Sequence, residues 1–168
     1  MDTTFVNMKR FSLSILLACL LGLLFAAPPA HADTPILAVS SDTASATPGS
    51  SVTLTLTFTN VHDTPVQFIY QSIQPTWTTS QSGALYSFTA CGASATACDT
   101  GSTGGVVHQT APVAVGASTT VTLTFTVAAN SPCGERIDFY TYLYDEYQAG
   151  GANESGIYDV PGTAVACA

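Results

Sequence analysis

Val52-Thr53-Leu54-Thr55-Leu56-Thr57-Phe58-Thr59 alternates a large apolar residue with threonine without a break. Successive side chains of a β-strand point to opposite faces, so Val52, Leu54, Leu56 and Phe58 face a core while the threonines face water. The pattern returns at Val121-Thr122-Leu123-Thr124-Phe125-Thr126-Val127. A glycine turn introduces each run, Thr47-Pro48-Gly49-Ser50 before the first and Val115-Gly116-Ala117-Ser118 before the second. Burying the eight inward side chains is worth about 1.5–3 kcal/mol apiece before conformational entropy is subtracted, which makes these two strands the expected centre of the fold.

Working outward, further β-prone runs lie at 36–40, 66–73, 84–90, 105–111, 137–147 and 157–165. The stretches between them are rich in glycine, serine, proline and asparagine, as turns require. No stretch carries sustained helical periodicity. The expected fold is therefore all-β, an immunoglobulin-like antiparallel β-sandwich of about seven to nine short strands.

Before the first of these runs, Lys9 and Arg10 precede a mostly apolar, charge-free run over 11–27, followed by Pro28, Pro29 and the small-x-small triplet Ala30-His31-Ala32. That order is the order of a secretory signal peptide, with residues 1–32 removed before Asp33 and 33–168 left as a single domain. The apolar run nearly reaches the length of a bilayer span, so an uncleaved anchor is the rival reading. Lipidation of Cys19 after Leu16-Leu17-Ala18 is a weaker one, because the apolar run continues past that cysteine to Ala27.

After such cleavage, ten acids face Arg136 alone, a net charge of −9, and no lysine or methionine remains. A surface of that sign repels nucleic acid and anionic lipid, so neither nucleic-acid binding nor membrane insertion of the mature domain is expected. Four cysteines remain, Cys91, Cys98, Cys133 and Cys167, and an even count in an exported chain reads as disulfides. Three pairings are formally open. The six residues between Cys91 and Cys98 favour a local bridge, which leaves Cys133 with Cys167. Zinc competes poorly, since the close pair is too widely spaced for a two-cysteine knuckle and export oxidises thiols.

The segment Ala46-Thr47-Pro48-Gly49-Ser50-Ser51-Val52-Thr53-Leu54-Thr55-Leu56-Thr57-Phe58-Thr59-Asn60, followed by Asp63-Thr64-Pro65-Val66, resembles the opening of the conserved-repeat domain of unknown function in bacterial surface proteins. Its marks are a proline-glycine turn, an alternating strand and an asparagine before the next loop. The turn and strand from Gly116 to Val127 resemble the closing half of that repeat, and the likeness covers roughly 36–130. The chain is similar in kind to the bacterial cell-adhesion-related domain as well. The resemblance implies an extracellular structural or adhesive part with no catalytic residues to carry over. The tail from Cys133 to Cys167 departs from the repeat's usual ending, and the domain occurs once rather than in tandem.

Among candidate sites, Tyr140, Tyr142 and Tyr144 alternate with inward-facing positions along one strand, flanked by Asp138 and Glu146. Such a stripe can stack on sugars or dock a protein, or it can be cross-strand packing covered by the tail. Trp77, the only tryptophan, is either a binding hot spot or an aromatic folded back over the core edge. His62, with Asp63 beside it, and His108 carry no ligand spacing, and a blue-copper set would lack its cysteine and methionine. No metal or cofactor is expected. Asp145, Glu146, Glu154 and Asp159 lack an EF-hand spacing and read as solvated acids. No serine occupies a Gly-x-Ser-x-Gly turn, and Asp145 and Glu146, adjacent on a strand, point to opposite faces and cannot flank one bond. The expectation is a secreted or cell-surface non-enzymatic module, structural or adhesive, that meets an extracellular protein or, through the tyrosines, a glycan.

Overall fold

The computed structural model describes residues 35–100, 105–148 and 152–167, all within one compact unit, Thr34–Ala168. The expected signal peptide, its cleavage point and Cys19 lie outside the described residues. None of the described helices is long and apolar enough to cross a membrane.

Two antiparallel sheets face each other. The four-stranded sheet runs in the order β1 (Leu37–Ser41), β3 (Ser51–Thr59), β8 (Ser118–Val127) and β5 (Tyr86–Ala93). The five-stranded sheet runs β11 (Ala152–Asp159), β10 (Phe139–Gln148), β4 (Phe68–Pro75), β7 (Val106–Thr110) and β6 (Ala95–Asp99). A small third sheet joins β2 (Ser45–Ala46), β12 (Thr163–Val165) and β9 (Arg136–Ile137). The nine strands of the two large sheets make the β-sandwich that the alternation predicts.

The two threonine-interleaved runs are direct neighbours, β3 and β8, at the middle of their sheet, with Val52 opposite Phe125, Leu54 opposite Leu123 and Leu56 opposite Val121. All eight inward side chains are buried. On the outer face the hydroxyls pair across the strands, Thr57 with Thr120 at 3.1 Å and Thr59 with Ser118 at 2.9 Å. The introducing turns place Gly49 at φ 89° and Gly116 at φ 70°, a left-handed backbone that costs glycine least. Gly49 N–H donates to the Val127 carbonyl and Gly116 N–H to that of Asn60, so each turn also closes onto the neighbouring strand or loop.

Several elements escape a reading by periodicity. Helix α1 (Trp77–Ser82) has the marks of its ends, with the Thr76 hydroxyl accepting from Thr79 N–H and Gly83 in the left-handed conformation. Six residues are too few to show a helical repeat. Strand β6 occupies the supposed loop between Cys91 and Cys98. The run at 157–165 is divided by Pro161, which has no N–H for a ladder: its first part belongs to β11, which begins earlier, at Ala152, and its end forms β12.

The Cys91–Cys98 bond therefore joins two sheets while closing a short ring, since β5 and β6 are edge strands of different sheets. The double variant Cys91→Ser/Cys98→Ser is expected to lose about 2.5 kcal/mol by the loop-closure model for so short a ring. Urea unfolding of the two proteins measures this, and an unchanged midpoint contradicts it. The other expected pair, Cys133 and Cys167, is exposed, and its two sulfurs stand beside each other without a bond drawn between them. They lie within hydrogen-bonding reach, and the bond to Cys133 raises the Cys167 thiol above its ordinary range. Backbone bonds from Gly134 N–H to Val165 O and from Val165 N–H to Glu135 O, both 2.8 Å, hold the tail beside Cys133.

Candidate functional site

Strand β10 sorts its residues by parity. Phe139, Thr141, Leu143 and Asp145 are buried against the opposing sheet, while Tyr140, Tyr142 and Tyr144 occupy the outer face. Register extends that stripe sideways. Tyr142 lies between Ser72 of β4 and Ile157 of β11, Tyr144 between Tyr70 and Ser155, and Tyr140 between Gln74 and Asp159. Tyr142 is 36% exposed and Ile157 71% exposed, while Tyr70, Tyr140 and Tyr144 are partly buried.

The Tyr144 hydroxyl donates to Glu146 Oε1 at 2.7 Å, and this bond raises the phenol above its ordinary range. Its ring meets Phe68 edge-on at 6.4 Å. The stripe therefore carries an acidic end at Glu146 and a second acid at Asp159 beside Tyr140. Arg136 is taken up by Asp138 at 3.1 Å.

Trp77 is 79% exposed at the start of α1 and does not fold over the core. The Thr76 hydroxyl caps the helix, and Thr79 turns inward to accept from Asp138 N–H at 2.7 Å, which leaves the preceding indole outside. Trp77 stands two residues beyond Pro75, whose partner is Phe139, so it lies at the same end of the sheet as Tyr140. Tyr70 and Ile157 escape a reading of β10 alone. They share its outer parity only through cross-strand register, for which a single run carries no signal.

The inner face of the same sheet is unusually polar. His108 on β7 is fully buried, its Nε2 2.5 Å from Gln71 Oε1 on β4. Burial pushes its pKa down to about 4, so the ring is neutral at pH 7. At the end of the sheet nearest the β10–β11 connection, His62 Nε2 lies 2.9 Å from Asp145 Oδ2 and 3.6 Å from Glu154 Oε2. Of the acids expected to be solvated, Asp145 is thus corrected: its inward parity buries it completely. Burial raises its carboxyl above the ordinary aspartate range, an effect that the bond from His62 opposes. Asp63, the sequence neighbour of His62, is exposed and takes no part, and His108 is held elsewhere in the sheet by Gln71.

No protein-family model matches the chain, and no curated protein matches it significantly. Among solved structures it is similar to the sixth cohesin of scaffoldin B from Acetivibrio cellulolyticus, in complex with a Cel5 dockerin mutant. The identity is 11% over 79% of this chain and 99% of that one, with a TM-score of 0.52. It is also similar to a putative membrane anchored protein from Corynebacterium diphtheriae, at 12% identity over 84% of this chain and a TM-score of 0.51. The match spans 37% of that longer chain. These likenesses are of fold: an antiparallel β-sandwich of the kind found in bacterial cohesin and membrane-anchored proteins. The finer resemblance to the conserved-repeat domain has no matching family model behind it.

Proposed function

We propose that this is a non-enzymatic adhesive module of the bacterial exterior, and that it binds a protein partner through the outer face of the five-stranded sheet. One observation carries the reading: Ile157 and Tyr142 are cross-strand partners, both exposed, in a patch continued by Tyr70, Tyr140 and Tyr144. Scattered exposed apolar residues are ordinary, whereas a contiguous group marks contact. Tyrosine supplies broad, stiff contact area at low entropic cost. An exposed isoleucine beside Tyr142 on the edge strand adds apolar area for a protein surface but gives a sugar ring no aromatic plane, which favours protein over glycan.

The chain's net charge of −8 and the acids Glu146 and Asp159 at the ends of the stripe select a partner of basic surface. Export is supported by the pattern of residues 1–32 and by a cysteine pair oxidised in β5 and β6, as oxidising compartments allow. The fold leaves room for a protein partner, since the cohesin compared above is itself in complex with a dockerin.

Surface plasmon resonance against a panel of basic and acidic extracellular proteins, run beside a glycan array, tests the proposal. Saturable binding to a basic member is expected, weakened on the order of tenfold or more by Tyr142→Ala and by Ile157→Ser, as for residues at the centre of a contact. Thr124→Ala, on the outer face of the other sheet, should leave it intact. Binding indifferent to both substitutions refutes this face as the contact. Saturable glycan binding lost in Tyr142→Ala replaces the protein reading with a carbohydrate-binding one.

A further inference from the structure

His62, Asp145 and Glu154 come from three segments that only folding unites. Asp145 and Glu154 are direct cross-strand partners on β10 and β11, and the ligand atoms of the three residues lie within 4.8 Å of one another. Two carboxylates placed opposite each other on one face repel, and a carboxylate withdrawn from water demands full compensation. Asp145 Oδ1 is buried and has no hydrogen-bond partner among the described residues. Arg136, the sole described lysine or arginine, is engaged with Asp138. An imidazolium at His62 brings one positive charge to two carboxylates and leaves Oδ1 unmet.

We propose that His62, Asp145 and Glu154 form a three-ligand site for a divalent transition metal of the zinc type, which fastens the β3–β4 loop to edge strand β11. A dication neutralises both carboxylates and takes neutral imidazole as its third ligand. Metal–ligand distances of about 2.0–2.2 Å in a tetrahedral site set ligand atoms about 3.4 Å apart. The distances of 2.9 and 3.6 Å from His62 Nε2 bracket that value. Glu154, 46% exposed, has the freedom to close the remaining gap. The imidazole argues against calcium and magnesium, which take all-oxygen sets, and the lack of thiolate argues against copper(I).

The support around the ligands is built. The His62 ring stacks on Tyr147 at 3.7 Å with 10° between the planes. Its backbone N–H donates to Asn60 Oδ1 at 3.0 Å, and buried Asn60 donates in turn to the carbonyls of Thr64 and Val113. The Thr64 hydroxyl donates to the Tyr147 carbonyl. Ligand orientation fixed in this way is what a metal site requires of its surroundings. The site lies at the β11 side of the five-stranded sheet, and the Cys91–Cys98 bond at the β6 side, so the two cross-links secure opposite edges of the sandwich.

The test is calorimetric titration of the chelator-treated protein with ZnCl2, in a Cys133→Ser/Cys167→Ser background so that the exposed thiols do not compete for the ion. One zinc per chain is expected, with a raised melting temperature. Glu154→Gln and His62→Ala should each weaken binding on the order of tenfold or more, and calcium should not compete. Glu154→Gln alters an exposed side chain, and its melting temperature in EDTA, matching the parent, shows that lost binding is not lost folding. Failure of the parent protein to take up zinc saturably overturns the proposal, as does uptake that neither substitution weakens.

Discussion

Phe125→Ala is expected to cost about 3–5 kcal/mol, as buried phenylalanine truncations do, a large part of a stability of about 5–15 kcal/mol for a domain of this kind. Phe125 is fully buried on β8. Its ring meets Tyr86 at 6.2 Å and Phe88 at 6.1 Å, both on β5, and Phe139 at 5.3 Å, on β10 of the facing sheet. Tyr86 and Phe139 meet edge-on at 4.8 Å, so the cluster binds sheet to sheet. Truncation leaves a cavity where the two layers touch, and close packing gives the surrounding rings little freedom to collapse into it. Urea unfolding followed by circular dichroism reads the loss. Thr124→Ala, one residue away on the outer face, should stay within about 0.5 kcal/mol of the parent. A Phe125→Ala midpoint close to that of Thr124→Ala would show that the cluster does not hold the sheets together.

Stability should also fall on mild acidification, because of His108. The folded ring has a pKa of about 4 against 6.5 for the free side chain, and burial is the cause. Between those values the unfolded chain binds a proton that the folded chain refuses, so stability declines as pH drops from 6.5 towards 4. Above 6.5 the contribution is flat. The interval corresponds to about 3 kcal/mol across the window. Asp145 works in the opposite direction, since its raised carboxyl takes up a proton in the folded state before the unfolded chain does. The comparison of interest is therefore the parent against His108→Gln, which keeps a polar group beside Gln71 and removes the titration. The parent should lose the larger stability between pH 7 and 4. Parallel pH profiles for the two proteins would rule out a buried neutral His108.

The tyrosine stripe and the buried acid illustrate how unevenly a site can be read from residues. Parity along β10 is a local property of extended backbone, so Tyr140, Tyr142 and Tyr144 are placed on one face by their spacing alone. Tyr70 and Ile157 join them through register, which is decided by which strands pair. The same parity that exposes Tyr144 sends Asp145 inward, yet nothing in its neighbourhood says that Glu154 will lie opposite or that His62, 83 residues away, will close over it. Trp77 stays outside because a six-residue helix, capped by Thr76, turns Thr79 to the interior in its place. Strand parity is silent on Cys133 and Cys167, which backbone pairing around β9 and β12 brings side by side.

By itself the sequence determined which segments extend and which of their faces is apolar, because side-chain alternation has a two-residue period that needs no distant partner. It also determined the acidic charge. Only the tertiary structure decided the order of strands in the sheets, the sheet-to-sheet span of the Cys91–Cys98 bond and the meeting of His62 with Asp145 and Glu154. Those features arise from closing long loops around a common core, and the energy that selects one closure over another is spread over the whole packed interior rather than held in any one segment.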